Sequence, residues 1–446
     1  MYIELTYWHE NPDTWEIDIE SGNYQITNLS FSPQADLTGN SLPVNEYTCD
    51  VILPEPIPGT LSAAILYDDM DQRWCSYPIT NANQITNKYL RLTCSSWLKR
   101  LDDRQLAEVV YVNESAANAI DECFGAAYAN DYTIATAIAS KTVSGYAPAQ
   151  TGRERLTWLC FVLGAYVEDI YRNDALITEV DDTATLIPID KTYGGSQRPT
   201  VDNGEWVTGL KITTYTFRQG TQEEWEDDDN SYMFPTPWIA TPQTIELTNP
   251  AAPPDARANV VELSGIYLIN PNNVSDITAR LAKYWFNPQI VQLSVINNRS
   301  YKPGDLVQVY TAPDSMAVGY IQQAVFAFGK QAMSKLSLIG TEAVEGAKLT
   351  INYTYQSGII GKQTYYLPVG MTFAISNPYI DRTWQDRRYI YRPQSATVTG
   401  TMVDGGLTVD QPCDVVLEYR DERLYVYSVD AIVKQGDSGI YTGVIS

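Results

Sequence analysis

The order of apolar and polar residues predicts short β-strands over most of the chain. In residues 1–95, segments rich in Tyr, Ile, Thr and Leu are separated by turn formers such as Asn11-Pro12-Asp13. The strands predicted there are 2–8, 24–31, 48–53, 61–67 and 89–93. Later strands are predicted at 206–215, 290–296, 306–310, 318–326 and 331–339, and 236–254 is predicted to be an extended connection.

Helical spacing interrupts this pattern in residues 96–200. Apolar side chains recur every three or four residues in 115–127, with Ser115 as the predicted N-cap, and in 152–167. Thr151 and Glu154 have the spacing of a capping box. The segments 166–170 and 175–179 predict a hairpin, and a further helix is predicted from Ser275 to just before Pro288. These elements predict α+β insertions in a mainly β protein.

A change of composition near residues 341–348 predicts a short linker. Beyond it, residues 349–392 and 396–446 predict two small β modules. The full length of 446 residues gives a prior of about three domains.

Charge and rare residue types exclude several kinds of function. With 30 basic and 54 acidic residues the net charge is −24, which disfavours a protein that wraps nucleic acid. The single histidine, His9, excludes a two-histidine zinc site. The six cysteines contain no C-x-x-C pair, so we expect buried, reduced thiols.

The amino-terminal residues and the hydropathy suggest a compartment. The opening MYIELTYWHENPD is polar and acidic and lacks the features of a signal peptide. No apolar run reaches the roughly 18 residues that a membrane span needs. We therefore expect a soluble protein that is made in a cytosol.

Several acidic clusters were considered as reactive or metal-binding groups. His9-Glu10 with Asp13 could bind a metal, but a metal site needs more ligands than this group offers. We therefore interpret His9 as an exposed histidine beside a turn. The run 223–229 lacks the spaced ligands and central glycine of a calcium loop, which favours a solvated charge run. Adjacent acids point to opposite faces of an extended segment and do not form a catalytic pair by themselves. These pairs are Asp68-Asp69, Asp102-Asp103 and Asp181-Asp182.

Glycine-containing and basic motifs also have simple structural explanations. The segment 358–362 (GIIGK) lacks the spacing of a phosphate-binding loop, and 302–305 (KPGD) is a turn signature. A basic aromatic cluster could contact phosphate or a glycan, although interleaved acids favour a solvated strand face. It comprises Arg382, Arg387, Arg388 and Arg392 with Trp384, Tyr389 and Tyr391. We therefore assign no catalytic, cofactor-binding or metal-binding residue, expect no cofactor and expect no enzymatic activity.

The order of several ordinary motifs over residues 1–340 resembles the tail-hub proteins of bacteriophages and related injection machines. The motifs are 22–36 (GNYQITNLSFSPQAD), 42–47 (LPVNEY), 152–156 (GRERL), 163–166 (LGAY), 175–177 (ALI), 206–212 (WVTGLKI), 277–286 (ITARLAKYWF), 301–309 (YKPGDLVQV) and 319–321 (GYI). The resemblance implies two tube-type β domains per subunit and a homotrimeric ring with pseudo-sixfold symmetry.

The sequence patterns and the resemblance together suggest a division of the chain, in which residues 349–446 depart from the minimal hub. The expected parts are a first tube-type β domain at 1–95 completed by 201–255, a helix-containing insert at 96–200, a second tube-type β region with a capping helix at 256–340, and small β modules at 349–392 and 396–446.

The expected partners are sister copies, a tail tube or distal tail ring protein, and a tail-tip or spike protein. DNA would pass without specific binding, since a negative wall repels phosphates. Residues 349–446 could contact the host envelope. The expected location is the tail of a virion assembled in the host bacterial cytoplasm. Two alternatives stay open, which are a tail-tip enzyme that degrades cell wall with a carboxylate pair and a host-binding adhesin.

Overall fold

The structure, a computed structural model, shows a mainly β protein with helical insertions, as the sequence predicts. Strands account for 54% and helices for 18%. The described residues are 1–10, 17–55, 57, 59–67, 73–128, 131–172, 174–187, 199–226, 233–296, 301–312, 315–327 and 333–344, and the strands given below for 346–441. The chain forms two compact units, Met1–Gln308 with Val318–Glu342 and Val309–Ala317 with Ala343–Ser446. No helix in the described residues is long and apolar enough to cross a membrane.

The first strands of the chain close into a six-stranded barrel. They are β1 (Tyr2–Glu10), β2 (Ile17–Phe31), β3 (Glu46–Ile52), β4 (Thr60–Tyr67), β5 (Arg73–Thr86) and β6 (Tyr89–Ser95). Their order is β1-β4-β5-β6-β3-β2, and pairing of β1 with β2 closes the circle. The sequence analysis missed β5. Its second half (NANQIT) is polar and exposed, and therefore lacks the alternation that identifies a half-buried strand.

A bulge in β2 keeps its apolar side chains inside the barrel. Tyr24 and Ile26 face inward from even positions, whereas Leu29 and Phe31 face inward from odd positions. The pairing with β3 shifts register between Ile26 and Asn28, which supplies the extra residue. Without that shift, a strand of this length would turn the second pair of side chains to solvent.

A helical insert follows the barrel. It contains a 3-10 helix (Trp97–Asp103), β7 (Gln105–Leu106), β8 (Val109–Ser115), α1 (Ala116–Phe124), a second 3-10 helix (Ala126–Tyr128), β9 (Tyr132–Ile134), α2 (Thr136–Ala139), β10 (Thr142–Ala147), β11 (Gln150–Thr151), α3 (Gly152–Leu163), β12 (Ala165–Glu168) and β13 (Ala175–Glu179). The antiparallel pairing of β12 with β13 is the predicted hairpin. α1, α3 and the strands around them share one buried apolar core.

The ends of α3 follow from its sequence. Thr151 accepts a hydrogen bond from the Glu154 amide, and the Glu154 carboxylate accepts one from the Thr151 amide, which confirms the capping box. Gly164 ends the helix at a φ of 71°, a left-handed conformation that favours glycine, so the helix stops before the predicted residue 167. At α1, Ser115 occupies the N-cap position, but its side chain makes no capping hydrogen bond.

Residues 185–263 supply two edge strands and a separate small sheet. The elements are β14 (Thr185–Leu186), β15 (Thr200–Asn203), β16 (Gly209–Gln219), α4 (Gln222–Glu226), β17 (Trp238–Thr248) and β18 (Val260–Leu263). The small sheet has the order β17-β16-β18. The predicted connection at 236–254 is therefore wrong, because β17 lies there as an edge strand, where Pro242 is tolerated. Strands β16 to β18 pair with one another and not with the barrel, which closes without them.

A second group of six strands flanks the barrel. It combines β14 and β15 with β19 (Gln289–Ile296), β20 (Leu306–Ala312), β21 (Ser315–Ala327) and β22 (Met333–Val344), after the helix α5 (Val274–Trp285). The order is β14-β20-β21-β22-β19-β15. α5 begins with Asn273 in the N-cap position, so Ser275 lies inside the first turn and is not the cap. The predicted domain boundaries at 201–255 and 256–340 stay a prediction.

The strands after residue 345 belong to the second unit. They are β23 (Gly346–Tyr355), β24 (Gly358–Pro368), β25 (Met371–Phe373), β26 (Ile375–Ser376), β27 (Ile380–Trp384), β28 (Arg387–Tyr391), β29 (Pro393–Val398), β30 (Thr401–Val403), β31 (Gly406–Val409), β32 (Cys413–Tyr419) and β33 (Ile440–Tyr441). Strands occupy most of the predicted linker at 341–348, although the unit boundary does fall at 342/343. The segment 358–362 lies in β24, which agrees with its assignment between strands.

Candidate assembly surface

The interior of the barrel is filled by side chains. Phe31, Tyr47 and Tyr77 are almost fully buried, and their rings lie 5.8 to 6.3 Å apart between centroids. Burial raises the pKa of the Tyr47 and Tyr77 hydroxyls, which stay neutral. A barrel of only six strands has no room for a channel beside such a core. Function must therefore be sought on the outside of the barrel.

One end of the barrel carries an unusual share of exposed apolar side chains. All neighbouring barrel strands are antiparallel, so the β1–β2, β3–β4 and β5–β6 connections lie at the same end. We call Trp8, Ile17, Ile19, Ile85 and Tyr89 the hairpin end. These are five of the nine large exposed apolar residues in the described part of the chain, each 41 to 74% exposed. Clustered apolar exposure of this kind marks interaction sites.

The register of β1 and β2 explains three of these residues. Trp8 lies directly opposite Ile19, and Ile17 is two residues away on the same face. Ile3, Leu5 and Tyr7 take the alternate positions and face the core. The outward face of this hairpin is therefore apolar although no core covers it.

Residues 79–86 of β5 form a free strand edge, which we call the open edge. β4 covers β5 from Arg73 to Pro78, and beyond that point β5 pairs only with β6 among the described strands. The open edge (ITNANQIT) contains no charged residue and no proline. Proteins protect exposed edges with such residues, as β17 does with Pro242 and Glu246. The open edge thus has the features of a strand that pairs with another chain.

The motifs considered for chemistry are engaged within the chain. His9 Nε2 lies 3.4 Å from the Glu20 carboxylate. Asp102 accepts from Arg153 and lies 3.3 Å from Lys99, and Asp182 accepts from Lys283 and Tyr320. Within the described residues, no group of three His, Cys, Asp or Glu is placed to hold a metal ion. The expectation that the protein uses no metal or cofactor stays a prediction.

Some predicted positions can be located only in part. Glu223, Glu224 and Glu226 lie in α4, where the Glu224 carboxylate accepts a hydrogen bond from the Thr221 amide, and only residues 227–229 of the acidic run lie outside the described residues. Asp13, Asp68, Asp69 and Arg392 lie outside them as well, and so do the side chains of Glu10, Arg382, Arg387 and Arg388.

The cysteines behave as the sequence predicts wherever their side chains are described. Cys49, Cys75, Cys94, Cys123 and Cys160 are free and buried, and the side chain of Cys413 lies outside the described residues. Burial raises the pKa of Cys94 and of Cys160 to about 12, so these thiols are unreactive near neutral pH.

Two buried polar residues that the sequence analysis did not single out connect the parts of the first unit. Asp169 accepts a hydrogen bond of 2.8 Å from Asn45 Nδ2, and Tyr77 donates to its backbone carbonyl. Burial raises the pKa of Asp169. Arg155 of α3 is 2% exposed and donates to the backbone carbonyls of Ala107 and Pro148. Both residues join segments distant in sequence, a feature that no local pattern reveals.

A polar cleft of about 760 Å³ lies beside α3 and α5, but its cations already have partners. Lys141 Nζ donates to the Leu163 carbonyl and to Glu179, while Arg280 donates to the Phe161 carbonyl. These contacts cap the carboxyl end of α3. They explain the charges of the cleft without a ligand.

Solved structures of tail proteins align with most of this chain. A tail protein from Neisseria meningitidis aligns at a TM-score of 0.49 with 10% identity, over 76% of this chain and 96% of its own. A prophage tail protein from Listeria monocytogenes aligns at 0.49 with 12% identity, over 75% and 94%. A type VI secretion component of E. coli aligns at 0.40 with 7% identity, over 88% and 96%. No protein-family model matches the sequence, and neither does any curated protein.

Proposed function

We propose that this chain is a structural hub subunit at the distal end of a phage tail or tail-like injection particle, where three copies form a ring. The observation that carries the proposal is the presence of two six-stranded groups in one chain, the closed barrel and the group β14-β20-β21-β22-β19-β15. Three copies would present six such groups around an axis. That number suits a junction between a sixfold tube and a threefold tip.

The passage for DNA lies on the ring axis between subunits in this proposal. The barrel is filled by its own aromatic core and leaves no path through a single copy. With a net charge of −24 per chain, the ring carries an excess of negative charge, which repels phosphates and lets DNA slide. The hub would act by assembly and as a conduit, with no catalytic step.

The remaining partners are proposed from the same arrangement. One face of the ring would bind a tail tube or distal tail ring protein, and the other a tail-tip or spike protein. Residues 349–446 are available to close the tip or to contact the host envelope. The protein would then be located in the virion tail after assembly in the host bacterial cytoplasm.

Mass measurement of the purified chain, followed by electron microscopy of the particle, tests this function. We expect a species of three times 49.9 kDa, about 150 kDa, with a central opening. A chain that stays monomeric both alone and with its tail partners would contradict the proposal. Degradation of purified cell wall, abolished by a carboxylate substitution, would contradict the absence of catalysis.

A further inference from the structure

Strand pairing already joins the two six-stranded groups within one chain. β2 pairs with β21 in antiparallel register, with Ser30 opposite Ala327 and Phe31 opposite Phe326. The Phe31 and Phe326 rings stack with centroids 5.8 Å apart. The joint therefore combines a short backbone ladder with apolar contact, and it covers neither the open edge of β5 nor the outer side of β15.

The barrel itself is closed, but the open edge, residues 79–86 of β5, is the part of that strand that extends beyond its pairing with β4. Its side chains from Thr80 to Thr86 are exposed, and among the described strands only β6 pairs with it, on one of its two sides. The backbone N–H and C=O groups on the other side are available to a partner strand, because the edge contains no charged residue and no proline that would prevent pairing.

β15, Thr200–Asn203, is one of the two terminal strands of the second group, and β14 is the other. β15 pairs with β19 on one side and ends the order of strands on the other. All its residues are exposed, and Val201 is 39% exposed, one of the few large apolar side chains left in solvent in the described residues. The open edge of β5 and the outer side of β15 are thus two strand edges of the first unit that no described strand covers.

We propose that the open edge of one copy pairs with β15 of the next copy, an inference that rests on the proposed ring. Pairing of the open edge with its own counterpart would give a two-fold dimer and stop there. Pairing of two different edges is heterologous, and a heterologous contact can close into a ring. The alternation of barrel group and second group within the chain would then continue from copy to copy.

Lysine substitution at the open edge tests the pairing against a matched control. Asn81→Lys/Asn83→Lys places two charges on the open edge, and Gln243→Lys/Thr244→Lys adds the same charge to β17, whose edge is already interrupted by Pro242. All these positions are exposed, so both variants should fold. We expect the first variant to need a protein concentration at least tenfold higher than wild type to form the trimer. The control variant should form the trimer at the wild-type concentration.

Cysteine cross-linking identifies the partner strand without depending on loss of assembly. Copies with Ala82→Cys or Asn83→Cys, which cover both side-chain directions, are mixed with copies carrying Val201→Cys and oxidised. We expect disulfide-linked pairs of one copy of each kind, because paired strands bring Cβ atoms within disulfide range.

The outcomes separate this pairing from the hub function itself. Cross-linking of Ala82→Cys or Asn83→Cys copies to one another would overturn the heterologous pairing in favour of a two-fold contact. A wild-type ring that tolerates the lysines and gives no mixed cross-link would overturn the pairing and leave the hub function standing. A wild-type chain that forms no ring would instead contradict the proposed function.

Discussion

The barrel and the helical insert belong to one unit but differ in how completely they bury their apolar side chains. The insert buries its apolar side chains in one core with α5 and β16, and Val112 is its one large exposed apolar residue in the described part of the chain. The barrel fills its interior with aromatic rings but leaves the hairpin end and the open edge uncovered. A region that exposes apolar surface and a free strand edge has the features of an interaction surface, and the described part of the insert shows them much less.

Truncation of a core ring should produce the largest effect and should separate the two regions. Phe31→Ala removes a ring packed against Tyr47, Tyr77 and Phe326, so we expect the barrel to lose about 3–5 kcal/mol of stability. Hydrogen exchange should become faster in β1 to β6 and stay slow in α3. The matched change Phe161→Ala in the insert core should give the reverse pattern. Equal acceleration in both regions by either variant would show that they unfold together.

Loss of the buried guanidinium should destabilise the insert alone. Arg155→Met keeps most of the side-chain volume but leaves the carbonyls of Ala107 and Pro148 without their donor. Buried acceptors without partners cost about 1–3 kcal/mol each, so we expect a loss of about 3 kcal/mol. Hydrogen exchange of α3 and β10 would measure this loss of stability. Arg153 is half-buried on the same helix, so Arg153→Met is the control and should have a weaker effect. Unchanged exchange in the insert would show that Arg155 is not needed for its stability.

A titration at Asp305 tests the border where the insert meets the second group of strands. Burial, and less strongly the nearby Glu168 carboxylate, raise the pKa of Asp305 from 3.8 to about 6. The folded chain therefore takes up a proton between about pH 6 and pH 4 that the unfolded chain does not. The contribution of Asp305 to the free energy of unfolding should therefore rise as the pH falls from 7 to 4, by about 2 kcal/mol, since one pKa unit is about 1.4 kcal/mol.

Asp305→Asn should remove that part of the pH dependence. The amide carbonyl can still accept the hydrogen bond from the Lys302 amide, so the turn is retained. Denaturant unfolding at pH 4 and pH 7 measures the difference, and the exposed Asp103→Asn is the control. An unchanged pH profile in Asp305→Asn would mean that another group carries the titration.

Local sequence patterns predicted much of this fold because the responsible forces act over a few residues. The capping box of α3 and the hairpin of β12 and β13 were predicted because caps and turns are set by neighbours in sequence. β17 was missed because a proline in an edge strand looks the same as one in a loop.

Pairing between distant strands left no local signal. The closure of β1 on β2 and β4, the joint between β2 and β21, and the open edge depend on which strands become neighbours in space. Arg155 stands beside Leu156 in a helical pattern that does not show which carbonyls it will meet. The sequence therefore predicted the type of assembly surface, which is strand edges that pair with sister copies. It did not predict which residues form that surface.

Polar substitution of the hairpin end should have the smallest effect on stability and a clear effect on assembly. Ile17→Ser/Ile19→Ser changes exposed side chains, so the free energy of unfolding of one copy should shift by no more than about 0.5 kcal/mol. Burial of one such side chain in a contact is worth about 1.5–3 kcal/mol, and about 1.4 kcal/mol is a tenfold change in affinity. Mass photometry over a dilution series should therefore show the proposed trimer dissociating at a concentration at least tenfold higher. Val112→Ser/Val260→Ser removes exposed apolar surface outside the barrel and should leave the trimer unchanged; equal weakening by both variants would show that the hairpin end has no special part in assembly.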